Sequence, residues 1–154
     1  MSHTYHALNY HLVFSTRNRR PLLRAGIRTR LFQYLIGVAR NHDITLKSIG
    51  GVDDHLHLLI GLRPATAPAK AVQTLKAVSS KWIHETFPDA ADLWWQEGYG
   101  LFTVSVSHIP ATVQYIQSQE EHHATKSFQE EFESFLELHG LTLAEAWTDD
   151  EEEV

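Results

Sequence analysis

Two short segments, Ile44 to Val52 ending in Gly50-Gly51 and His55 to Leu62, stand end to end with only Asp53-Asp54 between them. Both have the length of strands, and so tight a connection makes them antiparallel neighbours in a hairpin. What flanks this pair then fixes the architecture. Ile27, Leu31, Leu35 and Val38 recur at helical spacing between Ala25 and His42, and Ala71, Leu75, Val78 and Trp82 mark a second helix that ends before Phe87-Pro88. Tyr5 to Ser15 alternates, with Leu8, Tyr10, Leu12 and Phe14 as its apolar parity, and Tyr99 to Ser107 alternates again. A third helix follows Pro110 and carries Val113, Ile116 and Gln119, and Ser127-Phe128-Gln129-Glu130 reads as a capping box opening a last helix that stops at Gly140.

The order β-α-β-β-α-β with added C-terminal helices predicts an α+β, ferredoxin-like (RRM-like) antiparallel sheet. Helices cover one face, and the other is expected to lie open for a ligand or a second subunit. Residues 1–140 read as a single domain, and 141–154, with the run Thr148 to Glu153, as an acidic tail expected to be disordered. Apolar runs long enough to span a membrane are absent from the sequence, as is a secretory pattern, which reads as a cytoplasmic protein without a membrane partner.

The overall charge of −6 hides an asymmetry. Residues 1–50 carry eight Arg or Lys against one acid, and residues 101–154 carry one Lys against twelve acids. A basic N-terminal third suits phosphate neutralisation, and an acidic C-terminal third suits a solvated face; a plain soluble surface explains each equally well on its own. With no cysteine, any metal site must be built from His, Gln, Asp or Glu.

His55 and His57 sit two apart on a strand, so both imidazoles project from one face while Leu56 and Leu58 point into the core. Asp53 and Asp54 precede them and are placed to orient a ring N–H. Tyr115 and Gln119 are one turn apart on a helix and share a face. Joined to the histidines, Gln119 makes a His-His-Gln set for a hard divalent ion, Mg²⁺ or Mn²⁺, with positions left for substrate oxygens. Tyr115 is then the candidate nucleophile. Each pair also has a plain structural reading: chance His-x-His spacing among eleven histidines, and a Tyr at a helix–core boundary beside a solvated Gln.

The chain resembles the HUH single-tyrosine transposases, the group of IS200-like and repeat-associated tyrosine transposases. The resemblance runs from about Tyr5 to about Gly140. It rests on Tyr10-His11-Leu12-Val13-Phe14 followed by Arg19-Arg20-Pro21, on Gly50-Gly51-Val52-Asp53-Asp54-His55-Leu56-His57-Leu58, on Leu75 to Trp82, on Leu93-Trp94 through Gly98-Tyr99, and on Tyr115 to His123. It implies a nuclease and strand transferase that cleaves and rejoins single-stranded, hairpin-bearing DNA through a covalent 5′-phosphotyrosine. Tyr115 matches the nucleophile, and His55, His57 and Gln119 match the metal ligands. A homodimer is implied, in which the tyrosine helix of one subunit can serve the other's histidines, although repeat-associated members can be monomers; the unpaired edge at Tyr99 to Ser107 is the expected seam. No nucleotide cofactor is expected, consistent with the lack of a Gly-rich phosphate loop.

Arg17, Arg19, Arg20, Arg24, Arg28 and Arg30 are the expected phosphate contacts, with Lys76 and Lys81 beside them. Trp82 has core spacing, and Trp94 and Trp95 read first as structural, though they are better base-stacking candidates than Trp82. The competing readings are a domesticated DNA-binding or repeat-processing protein that no longer transposes, an RNA-binding sheet module, and a nuclease that uses water in place of Tyr115. The RNA-binding module requires aromatic residues facing out from the central strands, where this chain offers His55 and His57.

Overall fold

A computed structural model describes residues 3–141. Four strands, β1 (Leu8–Ser15), β2 (Thr45–Gly51), β3 (His55–Leu62) and β4 (Gly100–Thr103), form one antiparallel sheet in the order β2-β3-β1-β4. This is the ferredoxin-like arrangement the element order predicts. Two long helices, α1 (Ala25–Ala39) and α2 (Pro68–Thr86), pack on one face. Leu12, Phe14, Leu56, Leu58 and Ile60 point into that layer against Ile27, Leu31, Leu35, Val72, Leu75 and Ile83, the main core. Alternation does this: each strand sends one parity to the helices and the other to the opposite face.

The opposite face is where expectation and structure differ. It is not open. Three shorter helices, α3 (Ile109–Gln117), α4 (Gln119–His123) and α5 (Phe128–Leu138), lie at it. Phe128, Phe132 and Leu136 of α5 make a second, smaller core with Val13 and Phe102. Ser127 caps α5 as the capping box requires, its Oγ accepting the Glu130 N–H at 3.2 Å. Gly140, at φ +71°, ends it with Leu141 N–H donating to the Leu136 carbonyl at 2.8 Å, the Schellman closure.

Two boundaries also shift. The last strand runs only from Gly100 to Thr103, because the chain turns through a 3₁₀ segment at Val106–His108 to enter α3. The tyrosine helix breaks at Ser118 (φ −97°, ψ 17°), so Tyr115 and Gln119 belong to different helices. The acidic run Thr148 to Glu153 lies outside the described residues.

Gly50 ties the sheet to the tyrosine helix. It stands opposite His57 in the ladder, and a Cβ on it would lie 2.0 Å from the Ile116 carbonyl oxygen. Only glycine lets α3 come that close, next to Tyr115. Gly50→Ala is therefore expected to cost about 1–3 kcal/mol of stability, as overpacking does, and to displace Tyr115 from the histidines. Urea denaturation together with strand-cleavage rates reads both effects; an unchanged midpoint would mean that α3 packs elsewhere.

Candidate metal centre and active site

β3 enters the sheet interior directly from the Asp53-Asp54 turn, and this places His55 and His57 on the face under α5, both fully buried. Each ring is fixed through Nδ1. His55 Nδ1 donates to the Asp54 carboxylate at 2.7 Å, and His57 Nδ1 is hydrogen-bonded to His11 Nε2 of β1 at 2.8 Å. A third imidazole, His123 of α4, donates from Nδ1 to the Lys126 carbonyl at 2.7 Å. All three Nε2 atoms consequently turn inward, toward the carboxylate of Glu131 on α5. Oε1 of Glu131 is 2.8 Å from His57 Nε2 and 3.3 Å from His55 Nε2, and its Oε2 is 3.1 Å from His123 Nε2. His55 and His123 approach each other at 3.1 Å through Nε2.

This donor set fits a divalent ion. Nδ1 of His55 and of His123 faces a group that only accepts, so in the neutral rings Nε2 is a bare acceptor. Acceptors converging on a carboxylate repel unless a second proton or a cation lies among them. Ions with bonds of about 2.0–2.2 Å place neighbouring ligands roughly 3.0–3.4 Å apart, close to the spacings here. His55, His57, His123 and Glu131 offer ligand atoms all within 4.8 Å of one another. Gln119, almost completely buried, donates weakly from Nε2 to the Tyr115 carbonyl (3.4 Å), while its Oε1 has no hydrogen-bond partner among the described residues. An orphaned buried acceptor of this kind is what a metal ligand looks like without its ion.

Tyr115 stands at the edge of the cluster. Its hydroxyl donates to Glu131 Oε2 in a short contact, and its ring centroid is 5.7 Å from that of His57 in the same chain. A cleft of about 330 Å³ between α3 and α5 opens on Tyr115 and Glu131, walled by His108, Thr112, His122 and Phe135.

Burial and charge set the protonation states. Burial, then His57, pushes His11 down to about 3, and burial pushes His57 down to about 4 against the pull of Glu131. His55 moves up: burial opposes this, but Asp54 and Glu131 outweigh it. Burial would raise Glu131, yet its hydrogen bonds with His55 and His57 hold it below the usual carboxylate range. Tyr115 is raised by burial and by Glu131, with the Gln119 side chain pulling the other way.

The structure thus gathers His55, His57 and Tyr115 at one site with Gln119 adjoining, and adds His11, His123 and Glu131, which sequence reasoning missed. Glu131 did leave a trace: it falls within the apolar stripe Phe128-Glu131-Phe132-Phe135-Leu136, where a solvated acid does not belong. Asp54 orients His55 as expected. Asp53 instead pairs with Arg28.

Arg28 differs from the other basic residues. It is buried, donating to the Leu23 carbonyl at 2.7 Å and paired with Asp53 and with Glu120 (3.2 Å). Lys76 donates to the carbonyls of Gln96 (2.8 Å) and Gly98 (2.6 Å). Arg17, Arg19, Arg20, Arg24, Arg30 and Lys81 are exposed. The Arg17–Arg20 turn follows the end of β1 where Ser15 faces His55, the same end of the sheet as the metal centre. Trp95 is buried against Phe14 and donates to Ser79 Oγ at 2.9 Å, a structural role, whereas Trp94 is exposed beside the His84 ring. Among the described residues, no helix is long and apolar enough to cross a membrane.

A ferredoxin-like sheet carrying paired histidines and a helix-borne tyrosine is the arrangement expected of a transposase-type DNA-processing protein. The sequence profile of the family described as IS200-like transposases matches residues 4–119, and the chain belongs to that family. It is 27% identical over 117 residues to the ISDra2 transposase TnpA of Deinococcus radiodurans, covering 73% of this chain and 84% of the relative. A crystal structure described as that of a candidate transposase from Deinococcus radiodurans R1 superposes with a TM-score of 0.62 at 26% identity, over 75% of this chain and 92% of the other. The REP-associated tyrosine transposase bound to a REP hairpin shares the fold, with a TM-score of 0.53 at 17% identity over 75% of this chain and 70% of the other.

Proposed function

We propose that this protein is a metal-dependent single-stranded DNA transposase in which Tyr115 cuts and rejoins hairpin-bearing strands. The observation that carries the reading is the placement of the Tyr115 hydroxyl against the histidine cluster of its own chain. The ligands are His55, His57 and Gln119, with His123 and Glu131 adjoining. The ion is Mg²⁺ or Mn²⁺, and the three imidazoles incline the site to Mn²⁺. When bound, the metal acts as a Lewis acid on the scissile phosphate. Tyr115 Oη attacks phosphorus and gives up its proton, the bond to the 3′ oxygen breaks, and that oxygen takes up one proton in exchange to leave as a free 3′-hydroxyl. The new 5′ end stays on Tyr115 as a phosphodiester. A 3′-hydroxyl attacking that linkage reverses the step, so the bond energy is conserved and no nucleotide is consumed. Incubating the protein with end-labelled hairpin DNA tests this. Cleavage is expected of single strands only, with Mn²⁺ and not with EDTA; metal-independent cutting of duplex DNA would contradict it.

Phosphate contacts come from the exposed basic residues near the metal centre, Arg17, Arg19 and Arg20 foremost, with Arg24 just before α1, Arg30 on α1 and Lys81 on α2. Neutralising Arg19 and Arg20 together should lower the log–log salt slope of single-strand binding by about 0.7 for each phosphate left without its cation. Arg28→Met should leave that slope unchanged and lower the unfolding midpoint, because its guanidinium is committed to Asp53 and Glu120. Anisotropy titrations over a salt series separate the two; an unchanged slope in the double variant would place the DNA on another surface.

One chain supplies both the tyrosine and the histidines, so the active site is proposed to form in cis. Mixing Tyr115→Phe with His57→Ala protein should then restore no activity, whereas recovery would show exchange between subunits. A two-fold dimer pairing the outer edges of β4 is the proposed assembly. Light scattering reads it directly, with a monomer at micromolar concentration as the contrary result.

A further inference from the structure

We propose that Glu131 is a built-in stand-in for the scissile phosphate, a carboxylate carried on α5 that takes the positions a DNA phosphate needs and must leave them as DNA enters. The inference rests on the metal and tyrosine roles proposed above.

A phosphodiester in such a site presents two non-bridging oxygens on one centre, directed at the metal and its ligands while the nucleophile lies alongside. Glu131 presents two oxygens on one carbon in that way. Oε1 faces His57 and His55 at 2.8 and 3.3 Å; Oε2 faces His123 at 3.1 Å and accepts the Tyr115 hydroxyl. The nucleophile is thus already bonded to an anion that belongs to the protein. Glu131 is only 2% exposed, so water does not screen it, and a second anion brought to the same atoms meets full low-dielectric repulsion. Phosphate and carboxylate exclude each other.

The helix that carries it is suited to leave. α5 lies beyond residue 119, where the family match ends. It is anchored by the small cluster of Phe128, Phe132 and Leu136 on Val13 and Phe102, separate from the main core. Clefts reach the site from two sides: one holds Tyr115 and Glu131, and another, of about 470 Å³, holds Arg28, His123, Lys126 and Ser127. Glu131 lines the first of these clefts, and Lys126 borders both.

Glu131→Gln keeps the shape of the side chain and removes its charge. The test measures binding of a fluorescent single-stranded hairpin in the presence of Mn²⁺, with Tyr115→Phe in every protein to prevent cleavage, alongside Mn²⁺ titration and hydrogen exchange of residues 128–138. Glu131→Gln is expected to bind DNA about tenfold more tightly, the gain if the site is open about one-tenth of the time. It is also expected to bind Mn²⁺ more weakly, and exchange in α5 should quicken when DNA binds the protein that retains Glu131. Phe132→Ser retains the carboxylate but loosens the anchor, and should tighten DNA binding in the same direction. Unchanged or weaker DNA binding in Glu131→Gln, or α5 exchange indifferent to DNA, overturns the proposal. His57→Ala separates it from the underlying reading. Undiminished Mn²⁺ binding there removes the metal centre itself, whereas abolished Mn²⁺ binding there with unchanged DNA affinity in Glu131→Gln removes only the stand-in.

Discussion

Tyr115→Phe is expected to reduce strand cleavage by at least about 10³-fold, the scale seen when a nucleophile is deleted from a concerted site, without weakening DNA binding. The substitution deletes one oxygen. The ring keeps its edge contacts with His57, Phe135 and His122 at centroid distances of 5.7, 5.4 and 5.2 Å, so packing persists and the loss is chemical. Single-turnover cleavage with protein in excess, beside anisotropy for affinity, isolates the effect. A Phe variant cutting within about tenfold of the parent would make water the nucleophile and Tyr115 a packing residue.

His57→Ala should lower Mn²⁺ affinity by more than the 10–100-fold typical of losing a residue that merely orients a ligand. His57 is fully buried between His11 and Glu131, and its removal strips a buried carboxylate of its 2.8 Å partner. A stability cost of about 1–3 kcal/mol accompanies that. His11→Ala reaches the ion through His57 Nδ1 and should fall within the 10–100-fold range, so the ratio of the two variants distinguishes ligand from orienting residue. Calorimetry showing equal Mn²⁺ affinity in His57→Ala and the parent would remove His57 from the metal centre.

The hairpin of β2 and β3 is legible in the sequence because two strand-length segments with two residues between them favour one local solution, and period-two alternation then places His55 and His57 together. Spacing also singles out Tyr115 and Gln119, although the break at Ser118 puts them on different helices, and the close approach of Ile116 to Gly50 fixes where the tyrosine helix lies on the sheet. What stays hidden is long-range. Glu131 reaches His57 across 74 residues, and no local period records a helix folding back over a sheet face. The face expected to be open is covered for that reason. Arg28 misleads in a related way: as part of a basic run it looks like a phosphate contact, and only the positions of Asp53 and Glu120 show that it is committed inside the fold.

Peptide mapping of the covalent protein–DNA species is the most direct test of the chemistry. Hairpin DNA labelled on the strand 3′ of the cut, incubated with Mn²⁺ and resolved under denaturing conditions, should give a labelled protein band. Proteolysis should place the label on the peptide containing Tyr115, joined through the 5′ phosphate. A labelled band mapping to another residue, or complete strand cleavage with no protein-bound label at any time point, would contradict the assignment of Tyr115 as the nucleophile.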